Sequence, residues 1–239
     1  EKVYYISIIK SKFLIRWKFT FDFRIITDFY YKNGKLVGVN GGMSSHNIIA
    51  NIAKFGLPTS VYGICGNDMA GAVAINSLKS LGTNVDNIKV IDNINTRCFH
   101  VSYQEVNNKL EFVSKKRCPI CNEKKWYDES KMEVNDILKK ISEDDILVFD
   151  NLNNKNQIII DECVNRKMLD LGQYFELENY DDNAIIEMVK NKFDFINLNE
   201  RVEKYLKKRF SVNSLEEIYD ILNPKMIIVT RGKLGSDFV

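Results

Sequence analysis

Short apolar runs rich in β-branched residues recur along this chain, each separated from the next by a segment with helical periodicity. That alternation restricts the fold more than any other feature. Residues 59–65 (TSVYGIC), 145–149 (DILVF), 167–171 (KMLDL), 193–198 (FDFINL) and 226–230 (MIIVT) read as buried strands. Between the first two, residues 70–81 read as a helix, with Val73, Ala74, Ser77, Leu78 and Leu81 at spacings of three to four. After 145–149 come an Asn-rich loop at 151–156 and a helical stretch from Gln157 to about Asn165. Strand, helix, strand units repeated every ~25–40 residues predict an α/β fold, a mostly parallel sheet with helices on both faces. At about 150 residues per domain, 239 residues fit one large α/β unit.

Charge and composition exclude several classes. Lys and Arg number 34 against 32 acids, a formal net charge of +2. Phosphate-backbone binding leaves a clear basic excess, so nucleic acid is not the expected partner. Three prolines and twelve glycines are too few for a disordered chain. No run approaches the roughly 20 apolar residues of a membrane helix. The apolar run 3–9 fails as a signal peptide, because Ser7 interrupts it, Lys10, Lys12, Arg16 and Lys18 follow, and no small-residue cleavage site appears. Five cysteines, an odd number, point to reduced thiols and a cytoplasmic protein.

Two stretches break the alternation. Residues 96–114 (TRCFHVSYQEVNNKLEFVS) alternate apolar and polar around Asn107-Asn108, a hairpin signal. Residues 29–39 also look extended, with Asn33-Gly34 as the turn. Together they predict a small β-layer beside the main sheet.

The motifs begin at Gly41-Gly42-Met43-Ser44-Ser45-His46-Asn47, directly before a helical pattern at 48–55 and Gly56. Glycines before a helix let the backbone approach a ligand, and the free N–H groups of the first turn then face it. A glycine pair alone is common in ordinary loops. Here it is followed at fixed distance by Gly63-Ile64-Cys65-Gly66-Asn67-Asp68-Met69-Ala70-Gly71, a helix ending at Leu81-Gly82, and Asn95-Thr96. This succession resembles the ribokinase-like carbohydrate and nucleoside kinases, the PfkB family. There a glycine pair, an Asn and a helix ending in Gly lead to G-x-x-G-x-D-x-x-G and then to Thr-containing lid strands. Gly41, Gly42, Asn47, Gly56, Gly63, Gly66, Asp68 and Gly71 fall at matching places, with the step from Gly42 to Asn47 one residue longer than the commonest form. The resemblance runs from roughly Asn40 to the end.

It implies a three-layer α/β/α fold, one ribokinase-like domain over 1–239, with a lid from about 29–39 and 95–114. It implies that Gly41, Gly42 and Asn47 bind the hydroxyls of a sugar or similar alcohol. Asp68 reads instead as a turn residue holding its own loop. The family's first strand leads to an Asp that holds the sugar, and residues 19–28 (FTFDFRIITD) offer both Asp22 and Asp28. The aromatic segment before them matches no known pattern, and a disrupted first strand would compromise sheet and site together. In the second half, residues 193–200 (FDFINLNE) resemble the segment that orders magnesium and phosphates. Distance from Asp194 favours Asn199 with Glu200, N-x-x-E spacing favours Asn197 with Glu200, and a plain helix N-cap with acids in the first turn stands beside both. Residues 227–235 (IIVTRGKLG) resemble the nucleotide-binding T-x-G-x-x-G, which assigns Thr230, Gly232 and Gly235 to ATP.

The family's G-A-G-D segment, with its general-base Asp and anion hole, does not occur in the 239 residues. The expectation is a truncated or incomplete member with little kinase activity and no catalytic base of its own. The two expected functions are therefore an ATP- and Mg²⁺-dependent phosphotransferase acting on a hydroxymethyl group of a sugar-like substrate, or a non-catalytic sugar- or nucleotide-binding protein of the same fold. A homodimer through the lid is expected by the same resemblance. Lastly, Arg117-Cys118-Pro119-Ile120-Cys121-Asn122 contains C-x-x-C, half of a four-ligand zinc knuckle. An exposed loop with two thiols is the plainer reading, and a site shared between two subunits the sharper one.

Overall fold

A computed structural model describes residues 18–22, 25–106, 109–125, 131–172 and 174–239. The targeting check on residues 3–9 and the Asn107-Asn108 turn lie outside them. In chain order the first half comprises β1 (Phe19–Asp22), β2 (Ile26–Lys32), β3 (Lys35–Gly41), α1 (Met43–Lys54), β4 (Thr59–Gly66), α2 (Met69–Ser80), β5 (Asn84–Ile91), β6 (Arg97–Val106) and β7 (Lys109–Lys115). The second comprises α3 (Val134–Leu138), β8 (Ile146–Phe149), α4 (Asn154–Glu162), β9 (Lys167–Leu171), α5 (Asp182–Val189), β10 (Phe195–Asn199), α6 (Glu200–Phe210), α7 (Leu215–Leu222), β11 (Met226–Thr230) and β12 (Ser236–Phe238).

Eight strands form one sheet in the order β12-β11-β10-β9-β8-β1-β4-β5. All its pairs are parallel except β11 with β12. Its central strands β4 and β8 are buried on both faces, as continuous apolar strands require. Within β8, Leu147 and Phe149 pack into a cluster with Val202 and Leu206 of α6 and Ile218 of α7. Val148 between them packs into a second cluster with Ile49 of α1 and Ala74 and Leu78 of α2. Successive side chains of one strand therefore feed two cores on opposite faces, which is the expected three-layer arrangement.

One point the sequence left open is answered and one expectation is corrected. The first strand is not disrupted: β1 pairs in register with β4 on one side (Phe19 with Thr59) and β8 on the other (Phe19 with Ile146). Helix α4 begins at Asn154 rather than Gln157, because Asn153 accepts hydrogen bonds from Lys155 N and Asn156 N (both 2.9 Å) and so recruits the Asn-rich loop into the first turn.

The remaining four strands form the predicted second sheet, order β3-β2-β6-β7, with β2 and β3 antiparallel, β2 and β6 parallel, and β6 and β7 antiparallel. Asn33 (φ 50°) and Gly34 (φ 75°) both turn left-handed between β2 and β3, the geometry that a two-residue hairpin needs.

Candidate functional site

Parallel α/β sheets bind ligands outside the carboxyl ends of their strands. The residues singled out in the sequence collect along that edge: Asp22 ends β1, Gly66 ends β4, Asn199 ends β10 and Thr230 ends β11. Asp150 and Gly172 follow β8 and β9 at the same edge.

The small sheet is fastened there. Asp68 caps α2 by accepting from Gly71 N (2.8 Å), so it does hold its own loop. It also accepts from Thr96 N (2.9 Å) and Thr96 Oγ1 (2.7 Å), 28 residues on. Burial raises its carboxyl, but the bonds from Thr96 and Gly71 and the charge of Lys125 outweigh this and hold it below the usual range. A Cβ on Gly66 would lie 2.2 Å from Ile94 O, and one on Gly71 2.4 Å from Gly66 O. These two glycines therefore serve close backbone packing, not a ligand.

The glycine pair serves something different. A Cβ on Gly41 would lie 2.2 Å from the His46 ring, and one on Gly42 2.0 Å from the Asp28 carboxyl carbon. The turn is thus threaded between a buried imidazole and a buried carboxylate. Asp28, on β2, accepts from Met43 N (3.0 Å) and Tyr30 OH (3.4 Å) through Oδ2. Its Oδ1 is buried and has no hydrogen-bond partner among the described residues. Burial raises the Asp28 carboxyl above the usual range, partly offset by the Met43 and Tyr30 bonds. Met43 takes φ 63°, and every other non-glycine residue described at positive φ is Asn or Ser. A long side chain there costs roughly 1–3 kcal/mol, a strain that concentrates at binding sites.

Of the two acids left open by the sequence, Asp28 lies against the glycine pair, whereas Asp22 ends β1. Asn47 is on the exposed side of α1. The inward residue is its neighbour His46, whose Nε2 lies 2.8 Å from Ser77 Oγ, and Ser77 in turn donates to Asn40 Oδ1 (2.7 Å). His46 is therefore the α1 side chain packed against the glycine pair, a contact that the spacing from Gly42 to Asn47 alone did not point to.

Across the edge, Asn199 caps α6 by accepting from Arg201 N and Val202 N (both 3.0 Å) and donates to Gly172 O (2.7 Å). Glu200 is exposed in the first turn of α6 and pairs with Lys204 (2.7 Å). Asn197 donates to Asp170 Oδ1. Asp170 is buried, and its carboxyl is raised by burial, lowered by the Asn197 bond and raised again by the Asp150 charge. Asp150 accepts from Asn151 Nδ2 (2.7 Å). An Asp at or near the end of a mostly apolar run (KMLDL, ILVFD) was legible in the sequence, but no motif drew attention to these two. Thr230 is exposed, and beyond it Gly232 (φ 58°) and Gly235 (φ 91°) form an open turn with nothing within 4 Å of an added Cβ. Arg231 stiffens that turn through ion pairs to Glu203 (2.5 Å) and Asp237 (2.7 Å).

These groups suit a nucleotide and its magnesium. An unobstructed glycine turn can admit phosphates to its backbone N–H groups, and hard oxygen donors along the same sheet edge match a cation that takes one or two carboxylates with phosphates and waters.

No protein-family model matches this chain, and no curated protein matches it. Solved structures do. Over 93% of this chain it is similar to a fructokinase with bound ATP from Xylella fastidiosa (TM-score 0.69, 12% identity, 70% of that chain covered). It is similar over 93% to a putative ribokinase II in complex with ATP and Mg²⁺ from E. coli (0.68, 17%, 75%). Over 92% it is similar to a Burkholderia thailandensis nucleoside kinase in complex with inosine (0.68, 12%, 72%). The parallel sheet, the helices on both its faces and the small second sheet fastened at its ligand edge together make this the α/β fold of the ribokinase-like sugar and nucleoside kinases.

Proposed function

We propose that the protein is an ATP-dependent phosphotransferase whose acceptor is a hydroxymethyl group of a sugar or sugar-like molecule, a nucleoside included. The observation that carries this reading is the Asp28 carboxylate, with one oxygen buried and unpartnered beside a glycine turn that leaves no room for a side chain. A buried acceptor without a donor is costly unless a ligand supplies one, and sugar hydroxyls are donors. Asp28, Gly41 and Gly42 form the substrate side in this reading. Asn47 and Asp22 retain the substrate-binding roles implied by the sequence resemblance, and the small sheet acts as a lid that excludes water from the reacting groups.

Thr230, Gly232 and Gly235 would hold the nucleotide phosphates, with Asn199, Glu200 and the Asp150 and Asp170 carboxylates on the magnesium side. Bound there, Mg²⁺ supplies charge neutralisation for the transferred phosphoryl group. The chain's own part is positioning: Asp28 orients the acceptor hydroxyls, and the Gly232 turn, braced by Arg231, holds the donor phosphates in place.

The test is a panel of sugars and nucleosides offered with ATP and Mg²⁺, read by thermal shift and by ATP consumption, for the wild type and Asp28→Asn. A ligand that stabilises the wild type and not the variant supports the site. Binding without ATP turnover is the outcome expected of the alternative, a non-catalytic binding protein with this fold. If no sugar or nucleoside shifts the wild-type melting curve, the assignment fails.

A further inference from the structure

Cys118 and Cys121 lie in the segment after β7 that crosses back over the small sheet, where Cys98 N donates to Lys125 O (3.3 Å). The sequence Cys-Pro-Ile-Cys-Asn folds there into a tight turn. Cys118 N donates to Glu123 O (2.8 Å), Asn122 N donates back to Cys118 O (2.9 Å), and Asn122 adopts φ 58°. Arg117 Nη1 clamps the turn by donating to Asn122 O (2.9 Å). Inside it, Ile120 N donates to Cys118 Sγ (3.4 Å), and the N–H and thiol of Cys121 and the Tyr31 hydroxyl also contact that sulfur.

Backbone N–H groups converging on a sulfur disperse the negative charge of a thiolate, and the C-x-x-C spacing directs both sulfurs toward one point. The flanking residues Lys115, Lys116, Arg117, Lys124 and Lys125 supply positive charge around that point. Two thiolates are half of a tetrahedral set. Among the described residues no third His, Cys, Asp or Glu joins them. Residues 119–125 are all exposed, with Ile120, between the two cysteines, 76% exposed. The turn is therefore open to another molecule, and a two-fold axis through the metal converts two ligands into four.

We propose that the Cys118–Cys121 turn is half of a four-thiolate zinc site, completed by the same two cysteines of a second copy of this chain, so that one metal clasps two small sheets together. Four thiols bind one Zn²⁺ and release four protons to solvent, with no change of oxidation state. Thiolate sulfur and tetrahedral geometry select zinc over the harder magnesium.

The experiment uses the full chain, reduced, titrated with Co²⁺ as a spectroscopic probe and then with Zn²⁺. Tetrahedral cobalt bands with sulfur-to-metal charge transfer should saturate at one metal per two chains, and sedimentation should show a dimer that EDTA dissociates. Cys118→Ser and Cys121→Ser should each abolish the bands and the dimer, whereas Cys163→Ser keeps both. Circular dichroism checks folding, and Cys121, being exposed, provides a readable variant should Cys118→Ser misfold. Saturation at one metal per monomer, a dimer indifferent to EDTA and to both serine variants, or a Cys118–Cys121 disulfide with no metal uptake after reduction would each overturn the proposal.

Discussion

Asp68 and Thr96 are joined twice, by Thr96 N and by Thr96 Oγ1, while the same carboxylate caps helix α2 at Gly71. One side chain thus starts a helix on the large sheet and anchors the residue just before β6, an interior strand of the small sheet. Asp68→Ala removes the cap and both ties. The expected cost is about 2 kcal/mol, or a melting temperature lower by roughly 4–8 °C in a chain of this size. Thermal unfolding by circular dichroism checks it, and an effect within experimental error would show that the small sheet is held elsewhere.

Gly42→Ala tests the close approach to Asp28. Gly42 has φ −138°, which alanine accepts, so any effect is steric. The new methyl would start 2.0 Å from the Asp28 carboxyl carbon, and overpacking of this kind costs about 1–3 kcal/mol. Gly38→Ala is the control, because its Cβ would meet only Tyr30 at 3.9 Å. Urea unfolding of the two variants should separate them clearly.

His46 predicts a pH dependence. Burial is the main cause, and the Lys54 charge the lesser, that lowers its imidazole from the usual 6.5. The unfolded chain therefore binds a proton that the folded one refuses. The contribution of this group to stability is complete above the unfolded value and declines as pH falls below about 6.5 toward the lowered folded value. His46→Gln should flatten the stability profile between pH 7 and pH 5 relative to the wild type. Parallel profiles would refute the assignment.

Arg231 braces the turn after β11, and its loss leaves Glu203, only 4% exposed, with Lys207 (2.9 Å) as its remaining partner. Because that partner persists, Arg231→Met should cost about 1–3 kcal/mol rather than the full penalty of an isolated buried charge. The Arg231 bond is the first cause holding Glu203 below its usual 4.5, against the opposing effect of burial. That stabilisation is present above pH 4.5 and lost as pH falls through the depressed folded value, so acid unfolding of the variant should begin from a lower and flatter plateau.

Elements whose character is local were readable in advance. Strands β9 and β11 end where the runs KMLDL and MIIVT end, since interior strands of a covered parallel sheet draw mostly apolar residues. Strand β5 was missed as a strand because NVDNIKVI lies at the sheet edge, half exposed, and carries polar residues along it. The glycine pair, Asp28 and the T-x-G-x-x-G turn were likewise visible as types of residue in order, because backbone approach and left-handed turns restrict what can occupy them.

What the order of residues left open, tertiary structure decided. Asp22 and Asp28 are equivalent on paper, and only the folded chain shows that Asp28 is the one lying against the glycine pair. That contact depends on which face of β2 meets the glycine turn, and packing of the small sheet against the large one sets that. Likewise Asp150 and Asp170 come together because the adjacent parallel strands β8 and β9 bring their carboxyl ends side by side, and Arg231 after β11 meets Glu203 in the helix that follows the neighbouring β10. Periodicity specifies the elements, but only their assembly decides which polar side chains are taken out of water together, and on that desolvation both the electrostatics of this edge and its proposed chemistry depend.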